Sequence, residues 1–225
     1  MGSPSTPTGV IFDCDGTLLD SMGMWHALDD RLAERAGVTF TKADKDRLTA
    51  STLEECGVYL HETFGMGSCV ADVMDFIHEE MLRFYAHEVT MKPGAQALVH
   101  ELANAGIPMA VASSTPPALL RVGLERVGLA AAMEVILSVE DVDSSKREPL
   151  IYDRAREVLG TTREQTWGVE DALYAVRTLN DAGYRTLAVF DSMTAGSPED
   201  LAAEADAFCM SLEEASLGML LSYQR

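Results

Sequence analysis

No stretch of this chain approaches the ~18 consecutive apolar residues that a membrane span requires, and it has no internal repeat or low-complexity tract. Cysteine is scarce. Cys14, Cys56, Cys69 and Cys209 are scattered through 225 residues without a Cys-x-x-Cys pair. That spacing argues against a disulfide framework or a zinc site and reads as reduced thiols of a cytoplasmic protein. Positive charge is also in short supply. Seventeen Lys and Arg stand against 36 Asp and Glu, a formal net charge of -19. Nucleic-acid and anionic-membrane partners call for basic patches, so neither is expected. An anionic substrate would then need local positive charge, from a metal ion or a few placed cations. Residues 1–9, rich in Ser, Thr and Pro, carry neither a basic region nor a long apolar run, and read as a flexible lead-in rather than a signal peptide. No oversized apolar stripe calls for a partner copy, so a monomer is expected. What remains is ordinary for a soluble globular protein: 47% apolar and 24% charged residues, in a chain long enough for one domain plus an insert.

Hydrophobic periodicity divides the chain. After a first short apolar run ending near Ser21 the pattern turns helical for about seventy residues. Met24, Trp25, Leu28, Leu32 and Ala36 form one stripe, stopped by Gly37, and further helices are expected over 42–49, 52–64 and 70–87. From Pro93 onward helices alternate with apolar runs at 107–112, 133–137, 166–169, 186–190 and 207–210. Such alternation predicts an α/β fold, a Rossmann-like doubly wound parallel sheet covered on both faces. The expected organisation is a core of residues 1–20 and 91–225 with an inserted all-helical domain at 21–90.

In an open parallel sheet, ligands bind at the carboxyl ends of the strands. The first run ends in Asp13-Cys14-Asp15-Gly16-Thr17, where extended geometry would put both carboxylates on one face. Two like charges so close imply a bound divalent metal, an acid/base partnership, or both. The run at 107–112 ends in Ser113, Ser114 and Thr115, and the run at 166–169 is followed by Glu170 and Asp171. The loop after 133–137 carries Asp141, Asp143, Ser144, Ser145 and Lys146. Alone, each has a plain explanation: Ser113 a helix cap, Lys146 a solvated loop lysine, Glu170 and Asp171 favourable charges at a helix start. Together, on one rim, they suit phosphoryl transfer to a carboxylate. Mg²⁺ takes oxygen ligands, which Asp13, Asp171 and the Asp15 backbone carbonyl would supply, with Glu170 a further candidate. Asp13 would be the nucleophile and Asp15 the proton donor and acceptor, while Ser113 and Lys146 would hold the phosphoryl oxygens.

These motifs, in order and spacing, resemble those of the haloacid dehalogenase-like hydrolase superfamily. The helical insert is similar to the cap of its β-phosphoglucomutase-like branch. The likeness spans most of the chain, from Thr8 to about Phe208. It implies a Rossmann-like core, a mobile cap hinged near residues 20–22 and 89–93, and Mg²⁺-dependent phosphate-monoester chemistry. It also implies a flexing segment from Gly16 to Ser21. Substrate contacts are expected from Gly16, Thr17 and Ser114 and, on the cap, from Trp25 and His26, with Met22 beside them. Asp15 argues against a dehalogenase, whose leaving group needs no proton. Two departures from the branch pattern stand out: Arg147-Glu148-Pro149-Leu150 follows Lys146, and Ala172 and Ala175 follow Asp171. Trp25 stands where a mutase of this branch carries a cap histidine, and residues 49–55 lack the arginine that would grip a second phosphate, although Arg47 is near. The expectation is therefore a phosphatase acting on a small phosphorylated metabolite of sugar or polyol phosphate type. A sugar-phosphate mutase is the second reading, and a non-catalytic binding module a remote third.

Overall fold

Helical periodicity beyond Ser21 becomes four helices: α1 (Met22–Ala36), α2 (Lys42–Ala50), α3 (Leu53–Phe64) and α4 (Val70–His87). This computed structural model describes residues 9–51, 53–194 and 196–223, without the side chains of Trp25, His26, Thr49 and Ala50. The lead-in expected before Gly9 and the cap contacts expected of Trp25 and His26 therefore lie outside the described residues. The helices form one of two compact units, Met22–Glu88. Their apolar stripes are buried: Leu28 and Leu32 on α1, Cys56 and Leu60 on α3, Val73, Ile77, Met81 and Tyr85 on α4. Thr41 and Asp44 cap α2 reciprocally, satisfying two backbone donors that a helix start leaves unpaired. Arg31 on α1 donates to Glu80 on α4 at 2.5 Å, a polar tie on the rim of this bundle.

The second unit joins Met1–Ser21 to Val89–Arg225. Its strands are β1 (Gly9–Phe12), β2 (Met109–Ser113), β3 (Val135–Ser138), β4 (Thr166–Glu170), β5 (Arg185–Val189) and β6 (Ala207–Cys209). All pair in parallel, in the order β3-β2-β1-β4-β5-β6. Every residue of β1, β2 and β4 is buried. That is why these strands read as continuous apolar runs without alternation: a parallel sheet is covered on both faces. The covering helices are α5 (Ala95–Asn104), α6 (Pro117–Arg126), α7 (Leu150–Leu159), α8 (Leu173–Asp181) and α9 (Pro198–Glu204). A short α10 (Leu217–Ser222), which the sequence pattern did not suggest, closes the described chain. Ile151, Tyr152 and Ala155 of α7 pack with Ile11, Ala110 and Ala112, and Val176 of α8 packs with Ala188 and Leu201. α8 lies so close to β4 that a Cβ on Gly168 would come within 2.4 Å of Leu179 Cδ1. A side chain at 168 would force Leu179 to move. No described helix is long and apolar enough to cross a membrane.

Strand order reverses direction between β1 and β4. Successive connections run outward from β1 through β2 to β3, and from β4 through β5 to β6. A crevice opens at the carboxyl ends of two neighbouring strands at such a switch point. β1 ends at Phe12 and not at the aspartates, so Asp13 and Asp15 belong to the turn beyond the strand. The two segments flanking the helical unit pair with each other on the sheet unit. Lys92 N donates to Leu18 O at 2.9 Å and Asp20 N to Thr90 O at 2.9 Å, around an antiparallel bridge between Leu19 and Met91.

Candidate active site

Asp13 stays tethered to the sheet after β1 ends, its N–H donating to Val169 O on β4 at 2.9 Å. The chain then turns sharply. Gly16 takes φ +89°, a conformation that a side chain disfavours, and Leu18 N and Leu19 N both donate to Cys14 O at 2.8 Å. Cys14 points into the core, its thiol pushed well up by burial and by the neighbouring aspartates. The turn delivers Asp15 to two hydroxyls: Ser21 Oγ donates to Oδ1, and Thr115 Oγ1, from the loop after β2, donates to Oδ2 at 2.6 Å.

Opposite Asp13 stands Lys146. Its Nζ donates to Asp13 Oδ1 and, at 2.7 Å, to Glu170 Oε1, with the lysine side chain only 3% exposed. Tyr152 of α7 donates to the same Glu170 oxygen at 2.8 Å. Asp171, next along the chain, accepts from Thr194 Oγ1 at 2.5 Å. Electrostatics follow from that crowding. Burial pushes the Asp13 carboxyl well above its usual range; Lys146 opposes the shift, and Glu170 and Asp171 add to it. Burial, then Glu170, pushes Asp171 up to about 7. Burial alone would lower the Lys146 ammonium, but the charges of Asp13 and Glu170 outweigh it and hold the group above its ordinary value. One lysine thus serves three buried carboxylates, a charge deficit.

Oxygen atoms of Asp13, Glu170 and Asp171 all lie within 4.8 Å of one another. Glu170 Oε2 is buried without a hydrogen-bond partner. An all-oxygen, acidic donor set of this size, short of positive charge and with an orphaned oxygen, fits a hard divalent cation.

The other residues singled out from the sequence are placed as follows. Ser113 is buried, and its Oγ accepts from Thr115 N at 3.1 Å, so it braces the loop after β2. Thr17 is fully buried, with its hydroxyl unpartnered. Ser114 is exposed beside the Tyr174 phenol. In the loop before α7 only Lys146 reaches the cluster. Asp141 accepts from Ser138 N at 2.8 Å instead, and Asp143 is exposed at φ +48°. Sequence reasoning gave no role to Tyr152, Thr194, Asp191 or Lys92, and placed Ser21 only at the end of the flexing segment. For Asp191 and Thr194 a signal was present: both lie in the loop after β5, which ends at Val189, and the rule of strand carboxyl ends applies there equally.

The model of the family described as haloacid dehalogenase-like hydrolase matches residues 10–189, most of the chain and all of the cluster. The chain belongs to the haloacid dehalogenase-like hydrolases. Among relatives of this hydrolase, hexitol phosphatase A of Escherichia coli is 31% identical over 183 residues, covering 80% of this chain and 82% of that protein. A phosphorylated carbohydrates phosphatase of Thermotoga maritima is 26% identical over 174 residues, covering 77% and 81%. A Thermotoga maritima crystal structure, provisionally assigned as a β-phosphoglucomutase, superposes with a TM-score of 0.81 at 26% identity, covering 96% of this chain and 99% of that one.

Proposed function

We propose that this hydrolase removes phosphate from small phosphorylated metabolites of the sugar or polyol phosphate type. It works with Mg²⁺, through an aspartyl-phosphate on Asp13. The observation that carries the proposal is the meeting of Asp13, Lys146, Glu170 and Asp171 at the switch point of the sheet. The names of the relatives in Escherichia coli and Thermotoga maritima support the substrate class.

Asp13 attacks the phosphorus, and the bond from phosphorus to the ester oxygen breaks. Asp15 gives its proton to the departing alkoxide. A water then enters, Asp15 takes its proton, and the resulting hydroxide attacks phosphorus, releasing inorganic phosphate and restoring Asp13. Ser21 and Thr115 suit that double duty. A hydroxyl donates or accepts, so the two can hold the Asp15 carboxyl in one orientation with or without its proton. Lys146 keeps Asp13 oriented and contributes positive charge where the phosphoryl oxygens gather negative charge. Ser113 braces the loop that carries Thr115, and its exposed neighbour Ser114 faces solvent for an approaching substrate. Mg²⁺, bound by Asp13, Asp171, Glu170 and the Asp15 carbonyl, supplies neutralisation of the phosphate's charge and polarisation of its oxygens. The helical unit, Met22–Glu88, serves in this reading as the cap. Four unpaired cysteines and a net charge of -19 fit a monomer of the reducing cytoplasm, without nucleic-acid or membrane partners.

Mutase chemistry is the second reading, favoured by the likeness to the provisionally assigned β-phosphoglucomutase. Against it, Trp25 stands where a mutase of this branch carries a histidine, and residues 49–55 contain no arginine to grip a second phosphate. The test is hydrolysis of p-nitrophenyl phosphate and of a panel of sugar and polyol phosphates, with Mg²⁺ and with EDTA. Metal-dependent release of phosphate that disappears in Asp13→Asn is expected. Conversion of β-glucose 1-phosphate to glucose 6-phosphate without phosphate release would establish the mutase.

A further inference from the structure

Beyond the cluster itself, Asp171 is fixed by one donor from a different segment. Thr194 Oγ1 donates to its Oδ2 at 2.5 Å. Thr194 sits in the short loop that follows β5, and that loop is organised by Asp191. The Asp191 carboxylate accepts from Met193 N at 2.7 Å, and its backbone carbonyl accepts from Thr194 N at 3.3 Å. Asp191 is itself buried, 4% exposed, in a region already rich in negative charge. Its counter-charge comes from 99 residues away: Lys92 Nζ donates to Asp191 Oδ2 at 2.7 Å. Lys92 lies on the segment that returns from the helical unit, where its backbone N–H is committed to Leu18 O. The three residues form an unbroken run of hydrogen bonds from the return segment to a candidate metal ligand.

We propose that Thr194 is a positioning residue that aims Asp171 at the metal, and that the Lys92–Asp191 ion pair holds Thr194 in place to do so. A carboxylate free to rotate presents its oxygens to the ion only part of the time. One oxygen tied to a hydroxyl leaves the other directed. Partners of this kind around metal ligands are worth about 10–100-fold in metal affinity. The outer pair matters because Asp191 without Lys92 is a buried carboxylate with no compensating charge, which the loop relieves by opening to water. The reading rests on the metal assignment of the preceding section, but not on the identity of the substrate.

The experiment is Mg²⁺ titration of the whole chain by calorimetry, alongside the Mg²⁺-induced rise in melting temperature, for Thr194→Val, Thr194→Ser, Lys92→Met and Lys92→Met/Asp191→Asn. Thr194→Val should weaken Mg²⁺ binding about 10–100-fold. Its KM for p-nitrophenyl phosphate at saturating Mg²⁺ should stay unchanged. Thr194→Ser, which keeps the hydroxyl, should bind as the wild type does. Lys92→Met should weaken Mg²⁺ binding, and the added Asp191→Asn, neutral yet still able to accept from Met193 N–H, should restore it. Wild-type Mg²⁺ affinity in a folded Thr194→Val protein overturns the role of Thr194. Equal affinity in Lys92→Met and the wild type overturns the role of the ion pair. If Thr194→Val proves too unstable to titrate, the single and double variants at 92 and 191 decide by themselves: weakening with rescue supports the run of bonds, and its absence rejects it. Should the wild type bind Mg²⁺ and respond to these substitutions yet hydrolyse no phosphate ester, the phosphatase reading fails while the positioning role stands.

Discussion

Replacing Lys146 with methionine keeps the length and apolar stem of the side chain and deletes one charge. The structure makes the consequence large. Lys146 is the cation in hydrogen-bond contact with Asp13 and Glu170, whose side chains are 7% and 1% exposed. Breaking a buried ion pair by removing one partner costs about 3–5 kcal/mol. For a chain of this size each kcal/mol moves the melting temperature by about 2–4 °C, so a drop of about 6–20 °C is expected in EDTA. The drop should depend on pH, with a definite sign. The Asp13 carboxyl is already raised above its ordinary value of 3.8, and losing Lys146 raises it further. Between the unfolded and folded values the native state then binds more protons than the unfolded chain, so stability falls as pH rises. The difference between variant and wild type should therefore be larger at pH 8 than at pH 5. Lys146 has its own value raised, so in the wild type its contribution is complete throughout that range and fades only in strong alkali. Mg²⁺ should restore part of the melting temperature by supplying the missing charge. Differential scanning calorimetry at the two pH values, with and without Mg²⁺, measures all of this. A melting temperature within about 1 °C of wild type in EDTA at pH 8, where at least 6 °C is expected, would refute the charge-deficit argument.

Asp15→Asn should slow turnover of p-nitrophenyl phosphate by about 10²–10⁴-fold, the usual contribution of general acid–base catalysis, while Mg²⁺ binding persists. A normal rate would move the proton-transfer role elsewhere. Asp153→Asn should destabilise the fold by about 1–3 kcal/mol, because Arg163 Nε at 2.8 Å and the Tyr184 hydroxyl at 2.7 Å lose a charged acceptor. Although burial opposes it, these bonds leave the Asp153 carboxyl below its ordinary value. Its contribution is thus present above the unfolded value of about 3.9 and lost as pH falls through the folded one, so the two melting curves should converge below about pH 4. Denaturant melts at pH 7 and pH 3 check both statements.

Much of this was legible in the chain because the fold announces itself by period. Continuous apolar runs alternating with helical stripes leave little choice but a covered parallel sheet, and the rule of strand carboxyl ends then gathers Asp13, Lys146, Glu170 and Asp171. What escaped was the set of residues that act on other residues. Tyr152 reads as a core aromatic of α7 and is one, since only its hydroxyl reaches Glu170. Lys92 and Asp191 are a basic and an acidic residue 99 positions apart, and nothing local marks them as partners. Ser113 is a different case. Its place at the end of β2 suggests a phosphate ligand, and its oxygen also accepts from the Thr115 backbone, a bond that leaves the hydroxyl proton to donate. Position on the rim is written in topology; where a hydroxyl points depends on a turn of two or three residues.

The ladder between residues 18–20 and 90–92 has an architectural corollary. Because departure and return run side by side, hydrogen-bonded across 2.9 Å, the whole stretch Met22–Glu88 is spliced into the sheet unit at a single closed ladder. An engineer could exchange that stretch for one of another size, or for a simple reverse turn, without changing the register of a single strand.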